Sequence, residues 1–205
     1  MASYNGYLYV ADRGVLVKIN IAKGKIVEKI TLPGSRFPNY VATANNGDVY
    51  VSDTYENTIY KVTENGKVNV FVKDERLECP NGLWVSGGKL IVATWGPMTN
   101  EATFETSKKG TLKWIDRKTR KIHTVGKGEP IANFDGVVQY GDFYYATDWT
   151  GGRLLKISLK GEVVSEIVTG FSQFADLGID IQKGIIVIPE MSKNRIITVS
   201  LKELK

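Results

Sequence analysis

The sequence has 205 residues, a formal net charge of +5 and 42% hydrophobic residues. This length suits one domain over 1–205, and a single Cys and a single His exclude an internal disulfide framework and Cys-rich or multi-His metal sites within one chain. No apolar run of about 18 residues occurs, and the first residues form neither a basic nor an apolar segment, so we expect no membrane span and no signal peptide, while the compartment stays open.

Two short apolar segments recur along the chain with a period of about 42 residues, and the third repeat is about 11 residues longer. The first segment of each pair lies at 7–12, 48–53, 89–94, 142–147 and 184–189, and the second at 16–19, 59–62, 112–115, 154–157 and 196–199. The segments are rich in β-branched and aromatic residues and are separated by Gly and Asn-Gly turns, which favours strands joined by hairpins. The sequence therefore predicts an all-β fold, a β-propeller of about five four-stranded repeats.

The repeats span approximately 1–33, 34–74, 75–128, 129–170 and 171–205. The first is predicted to have strands only at 7–12, 15–20 and 25–31, the middle three repeats to be complete, and the last to have strands only at 176–183, 185–189 and 195–201. Two incomplete terminal blades leave two interpretations. The favoured one is a chain cut from a longer, six-bladed propeller; the other is that another chain covers the unpaired blade edges, which would produce self-association.

Four polar residues begin the innermost strands of successive repeats: Asn39, Asn81, Asp135 and Asp176. Rotational symmetry would point these side chains at one axis and at one height. Carboxylate and amide oxygens suit Ca²⁺, Mg²⁺ or Mn²⁺, with Zn²⁺ as a further alternative. The competing interpretation is that each residue caps the turn that enters its strand.

The loops after the second strand of each blade should lie over the same end of the channel. They contain Trp95, Asp148 and Trp149, and the extra segment 96–110 is one of these loops. Loops on one face of a rigid scaffold commonly select ligands. The alternatives are a tolerated surface insertion for 96–110 and packing between blades for the two tryptophans.

Three stretches resemble the regucalcin/gluconolactonase family of six-bladed propellers: CPNGLW at 79–84, FDGVV at 134–138 and ATDWTGGRL at 146–154. The resemblance implies divalent-metal ligands at Asn81 and Asp135, and a substrate contact at Arg36. The family's third protein ligand, a Glu, has no counterpart here. The periodicity is also shared with NHL-repeat and strictosidine synthase-like propellers.

The resemblance implies a metal-dependent lactonase or related ester hydrolase acting on a lactone or sugar-like molecule. Asp135 would be ligand and general base, and Asp176 a further ligand. Arg36, Asn39, Trp95, Asp148 and Trp149 would contact substrate. The alternative is a non-enzymatic propeller that binds a small ligand or a protein at the channel. Nucleic-acid binding is disfavoured because the lysines are scattered and form no continuous basic stripe.

Overall fold

The computed structural model describes residues 1–203 and consists of antiparallel sheets arranged as the blades of a propeller. Blade 1 contains β1 (Ala2–Tyr4), β2 (Tyr7–Asp12), β3 (Val15–Asn20) and β4 (Lys25–Thr31). Blade 2 contains β5 (Pro38–Thr43), β6 (Val49–Asp53), β7 (Thr58–Val62) and β8 (Val68–Lys73). Blade 3 contains β9 (Pro80–Ser86), β10 (Lys89–Thr94), β13 (Leu112–Asp116) and β14 (Ile122–Thr124), with the separate hairpin β11 (Met98–Asn100) and β12 (Glu105–Thr106) inserted after β10. Blade 4 contains β15 (Phe134–Tyr140), β16 (Phe143–Asp148), β17 (Arg153–Ser158) and β18 (Val163–Val168). Blade 5 contains β19 (Gly178–Asp180), β20 (Ile185–Glu190) and β21 (Arg195–Ser200).

The predicted all-β propeller is confirmed, and residues 1–203 form four blades of four strands and a last blade of three. One detail was wrong: the first blade has an inner strand, because β1 pairs with β2. The turn between them is Asn5-Gly6, in which both residues have positive φ, 46° and 79°. This geometry is typical of the two-residue hairpin turn that Asn-Gly favours. The last two residues of the predicted fifth repeat lie outside the described residues.

The core consists of four apolar clusters, one at each junction between consecutive blades. Alternation along an inner strand explains this arrangement, because successive side chains point to opposite faces of a blade. In β5, for example, Val41 packs toward blade 1, whereas Tyr40 and Ala42 pack toward blade 3. Of the clusters formed by residues 1–203, none joins blade 5 to blade 1. The three helices in this range are single 3₁₀ turns, and none is long and apolar enough to cross a membrane.

The inner strands of blades 2, 3 and 4 each contain a β-bulge at their first residues. In each bulge two residues oppose one on the neighbouring strand, and the first of the two is Asn39, Asn81 or Asp135. Hydroxyl groups accept the extra backbone N–H in two blades, where Tyr40 donates to Ser52 Oγ at 3.0 Å and Gly136 donates to Thr147 Oγ1 at 2.8 Å. A bulge re-aims a side chain relative to the strand alternation. The bulges therefore set the direction of the three polar side chains at the channel.

Candidate functional site

The start of the inner strands forms one end of the central channel, which we call the mouth. A pocket of about 300 Å³ opens there. It is lined by Phe37, Asn39, Thr54, Asn81, Trp95, Phe104, Asp135, Trp149 and Met191. A larger groove of about 640 Å³ lies between blades 3 and 4 at their outer edge, and its lining shares no residue with the mouth pocket. The mouth is therefore the candidate site, because it collects five of the residues predicted from the sequence: Asn39, Asn81, Asp135, Trp95 and Trp149.

Asn81 and Asp135 form the polar floor of this pocket. The amide Nδ2 of Asn81 donates to Asp135 Oδ1 at 2.6 Å, and Asn81 is only 3% exposed. Its other amide atom, Oδ1, is buried and has no hydrogen-bond partner among the described residues. A buried acceptor without a partner costs free energy. The floor is thus able to accept a donor or a cation that residues 1–203 do not supply.

Asp176 lies beside this pair, before β19, and is offset by one residue from the position that the repeat predicted. The isolated bridge Phe174–Glu190 in blade 5 corresponds to the pair Phe134–Asp148 in blade 4, so Asp176 is the second residue after the bridge and Asp135 the first. A Cβ atom placed on Gly136 would lie 2.9 Å from Asp176 Oδ1, so the Asp176 carboxylate packs against the bulge of blade 4. Asp176 Oδ1 is likewise buried and accepts no close hydrogen bond from the described residues, and the Tyr40 hydroxyl faces the same carboxyl group. Its Oδ2 lies 3.8 Å from the amino group of Met1.

Both carboxyl groups hold their protons more tightly than usual. Burial, followed by the negative charge of Asp176, raises the pKa of Asp135 from 3.8 to about 7, although the amide of Asn81 opposes this rise. Burial also raises the pKa of Asp176, to about 6, against the opposing effect of the amino terminus. Desolvation disfavours the charged form, and a second carboxylate adds to that effect. Asp135 therefore changes protonation state near neutral pH.

The raised pKa predicts a stability that depends on pH. The folded chain binds more protons at Asp135 than the unfolded chain, so this contribution to the free energy of unfolding is fully present below about pH 4 and is lost as pH rises through about 7. We expect Asp135→Asn to melt several degrees above the wild type at pH 8 and at nearly the same temperature at pH 4. Thermal denaturation in chelator tests this, with the exposed Asp142→Asn as control. Parallel pH profiles for wild type and Asp135→Asn would contradict the assignment.

The wall of the pocket is aromatic. Trp95 is 6% exposed, and its indole N–H donates to the Phe104 carbonyl at 2.9 Å. Its ring lies 5.9 Å from that of Phe104 and 6.3 Å from that of Trp149, measured between centroids. Phe37 continues the wall, 6.1 Å from Phe104. The two tryptophans therefore take part both in packing and in lining the pocket.

The inserted hairpin lies over the mouth, as the position of segment 96–110 predicted. Phe104, between β11 and β12, lines the pocket, and Glu101 binds the guanidinium of Arg36 with two hydrogen bonds of 3.0 and 2.6 Å. The hydroxyl of Tyr55 also donates to the Glu101 carbonyl at 3.1 Å. Arg36 therefore fastens the hairpin to blade 2, and its side chain does not line the pocket.

Asp148 occupies a different place from the substrate contact that the sequence suggested. Its carboxylate is fully buried and accepts from Arg153 Nε at 2.9 Å and from the Gly151 N–H at 3.1 Å. Asp53 plays the same part in blade 2, where it accepts from the N–H groups of Arg36 and Phe37. These carboxylates hold the turns that surround the mouth.

Sequence reasoning missed Phe37 and Phe104 as lining residues. Phe37 directly precedes the Pro-Asn pair at 38–39, and Phe104 lies in the insertion. For Phe37 the available signal was its place next to the Pro-Asn pair, since Asn39 is one of the repeated polar residues. The second depends on how the hairpin folds back, which the repeat pattern does not encode.

No protein-family model and no curated protein matches the chain. Solved structures do match the chain. The chain is similar to one from a nidogen/laminin complex, with a TM-score of 0.76 and 12% identity over 95% of this chain and 73% of that one. It is also similar to streptogramin B lyase, with a TM-score of 0.62 and 13% identity over 98% and 81%, and to the computationally designed protein Ika8, with a TM-score of 0.59 and 12% identity over 98% and 57%. At these identities the similarity shows the fold alone, and that fold is the β-propeller.

Proposed function

We propose that the mouth pocket binds a small cyclic ester and hydrolyses it with the help of a divalent cation, a lactonase type of activity. The observation that carries this proposal is the buried acceptor Asn81 Oδ1, which has no described partner, beside the Asp135 carboxyl group and with the Asp176 carboxyl group behind it. Two oxygen-bearing side chains at the floor of the pocket, with a third behind it, resemble a site that lacks its electropositive partner. The sequence resemblance at 79–84 and 134–138 supports the same chemistry.

The oxygen donors fit a hard divalent cation. Asp135 and Asp176 would supply carboxylate oxygens and Asn81 a neutral amide oxygen, a set that suits Ca²⁺, Mg²⁺ or Mn²⁺. When bound, such a cation polarises the ester carbonyl and stabilises negative charge on its oxygen. Among residues 1–203 no three His, Cys, Asp or Glu side chains converge on one point. The ligand set is therefore sparse in negative charge.

The residues of the chain have separate tasks in this proposal. Asp135 takes a proton from the water that attacks the ester and returns it to the departing alkoxide oxygen. Asn39 donates to Thr54 Oγ1 at 3.2 Å, which leaves its own amide oxygen free to accept from a substrate hydroxyl. Trp95, Phe104 and Trp149 hold the ring of the substrate and exclude bulk water.

Divalent binding by this chain should be weak. Tight Ca²⁺ sites use six to eight oxygens with several carboxylates, whereas two carboxylates and one amide are available here, so we expect dissociation constants on the order of millimolar. Calorimetric titration with Ca²⁺ and Mn²⁺ measures this, and a panel of sugar and aliphatic lactones, with and without chelator, measures hydrolysis. Asn81→Ala should weaken metal binding further. Micromolar binding would contradict the ligand count, and no hydrolysis of any lactone with any of these metals would overturn the proposed activity.

A second candidate is a non-enzymatic propeller that binds a small ligand at the mouth. The aromatic wall favours it, because rings supply contact area without any chemistry. Ligand binding and thermal stability that do not change with chelator, together with no turnover, would select this function over hydrolysis.

A further inference from the structure

The mouth pocket has an unusual balance of charge and aromatic surface. Of its nine lining residues, four are aromatic, and Asp135 is the only one with a charged side chain. The lining otherwise consists of Met191, two amides and one hydroxyl. Asp176 adds a second carboxylate behind the floor, and the amino group of Met1 lies 3.8 Å from its Oδ2. The pocket is therefore aromatic and has negative charge at its base.

The cations around the mouth are engaged elsewhere. Arg36 binds Glu101 through both terminal nitrogens and lies 3.6 Å from Glu56. Arg153 pairs with Asp148, and Arg195 pairs with Glu190. An anionic ligand would therefore lose its hydration in this pocket without gaining a positive partner, which is costly.

The rings offer their π surfaces rather than polar groups. The N–H of Trp95 is already bonded to the Phe104 carbonyl, so a ligand meets the ring system of this tryptophan. Successive rings of the wall are inclined to one another by 52° between Phe37 and Phe104, 65° between Phe104 and Trp95, and 60° between Trp95 and Trp149. These angles curve the aromatic wall around the cavity. Several aromatic rings around one cavity are a common means of holding an alkylated ammonium group.

We propose that the mouth pocket binds a quaternary ammonium group, held against Trp95, Trp149 and Phe104 above the carboxylate of Asp135. A methylated cation fits better than a primary amine, because it needs no hydrogen-bond acceptors and gains from each ring it touches. A cavity of about 300 Å³ is at the lower end of the range for small-molecule sites, which suits a ligand of the size of choline. The proposal goes beyond the proposed hydrolysis and does not depend on it, since binding needs neither a metal nor a reaction.

The test compares choline with its neutral isostere 3,3-dimethylbutan-1-ol, by calorimetry or NMR titration in the presence of chelator. We expect choline to bind at least about tenfold more tightly, because only the charge differs between the two probes. Trp149→Leu should weaken choline binding about fivefold or more while changing binding of the isostere less than twofold. Trp114→Leu is the matched control, since Trp114 stacks on His123 at 3.9 Å outside the mouth and should leave both affinities unchanged.

Equal affinities for choline and the isostere, or no binding of either by the folded wild type, would overturn the proposal. The wild-type comparison remains decisive if Trp149→Leu does not fold. Choline binding without lactone hydrolysis would reject the hydrolase alone, and hydrolysis without a preference for choline would reject the ammonium site alone. A divalent cation at the floor should compete with choline, because both would occupy the same negative charge.

Discussion

Replacing Asp135 with Asn is expected to lower kcat/KM for lactone hydrolysis by at least about 100-fold. General bases contribute roughly 10²- to 10⁴-fold, and this variant also removes an anionic cation ligand. The amide keeps an oxygen that can accept from Asn81, whose present bond to Asp135 is 2.6 Å, so the geometry of the floor should persist. Initial rates across pH 5 to 9 test the expectation, since the wild-type rate should rise with pH as the Asp135 carboxyl group loses its proton and the residual rate of the variant should not.

Asp142→Asn is the control for this experiment. Asp142 is exposed in the turn after β15, at the opposite end of the strand from Asp135, and should retain wild-type activity within about twofold. Because Asp135→Asn is expected to be more stable than the wild type above neutral pH, unfolding would not explain its loss of activity. A variant that retains more than half of the wild-type rate would show that Asp135 is not the base.

Gly82→Ala should disrupt the site through the backbone. A Cβ atom at Gly82 would lie 2.6 Å from the carbonyl oxygen of Asp135 and 2.9 Å from the nitrogen of Val137, both backbone atoms of the neighbouring blade. The inner strands β9 and β15 must separate to admit it. Overpacking of this kind costs about 1–3 kcal/mol, or roughly 2–4 °C in melting temperature per kcal/mol for a chain of this length.

The matched control is Gly88→Ala, because an added Cβ there meets no atom within 4 Å. We expect it to change stability by less than about 0.5 kcal/mol. Thermal melting of both variants, with the choline titration as a second readout, separates a general effect of losing glycine from the close contact between blades 3 and 4. Equal melting temperatures for the two alanine variants would show that the strands tolerate a methyl group between them.

The repeat determined how much of the fold was predictable. The period of about 42 residues located the blades, because equivalent strands in each repeat bury the same apolar positions against the neighbouring blades. The inner strand of the first blade was missed although Asn5-Gly6 is a strong hairpin signal, since a strand of three residues is too short to show alternation. The last blade was predicted correctly with three strands.

The site was predictable where it follows the repeat and unpredictable where it depends on loops. Asn81 and Asp135 meet because their bulges are equivalent, whereas Asp176 is offset by one residue, which sequence spacing alone could not resolve. Asp148 is the last residue of its strand, as Asp53 is of β6, and a carboxylate in that position accepts hydrogen bonds from the adjacent turn. The ring of Phe104 reaches the pocket only through the tertiary path of the hairpin.

Asn39, Asn81 and Asp135 occupy equivalent bulge positions around the mouth. At 39, 81 and 135 the backbone path is held by ladder pairs on either side of each bulge, so the identity of the side chain there is not needed to form the blade. Amide and carboxylate are nearly equal in size, and exchanging one for the other alters charge with little change in packing. Substitutions at these three residues would therefore change the relative affinity of the channel for neutral and cationic ligands in steps, without a change of fold. Evolution or protein engineering could use them to adjust ligand selectivity.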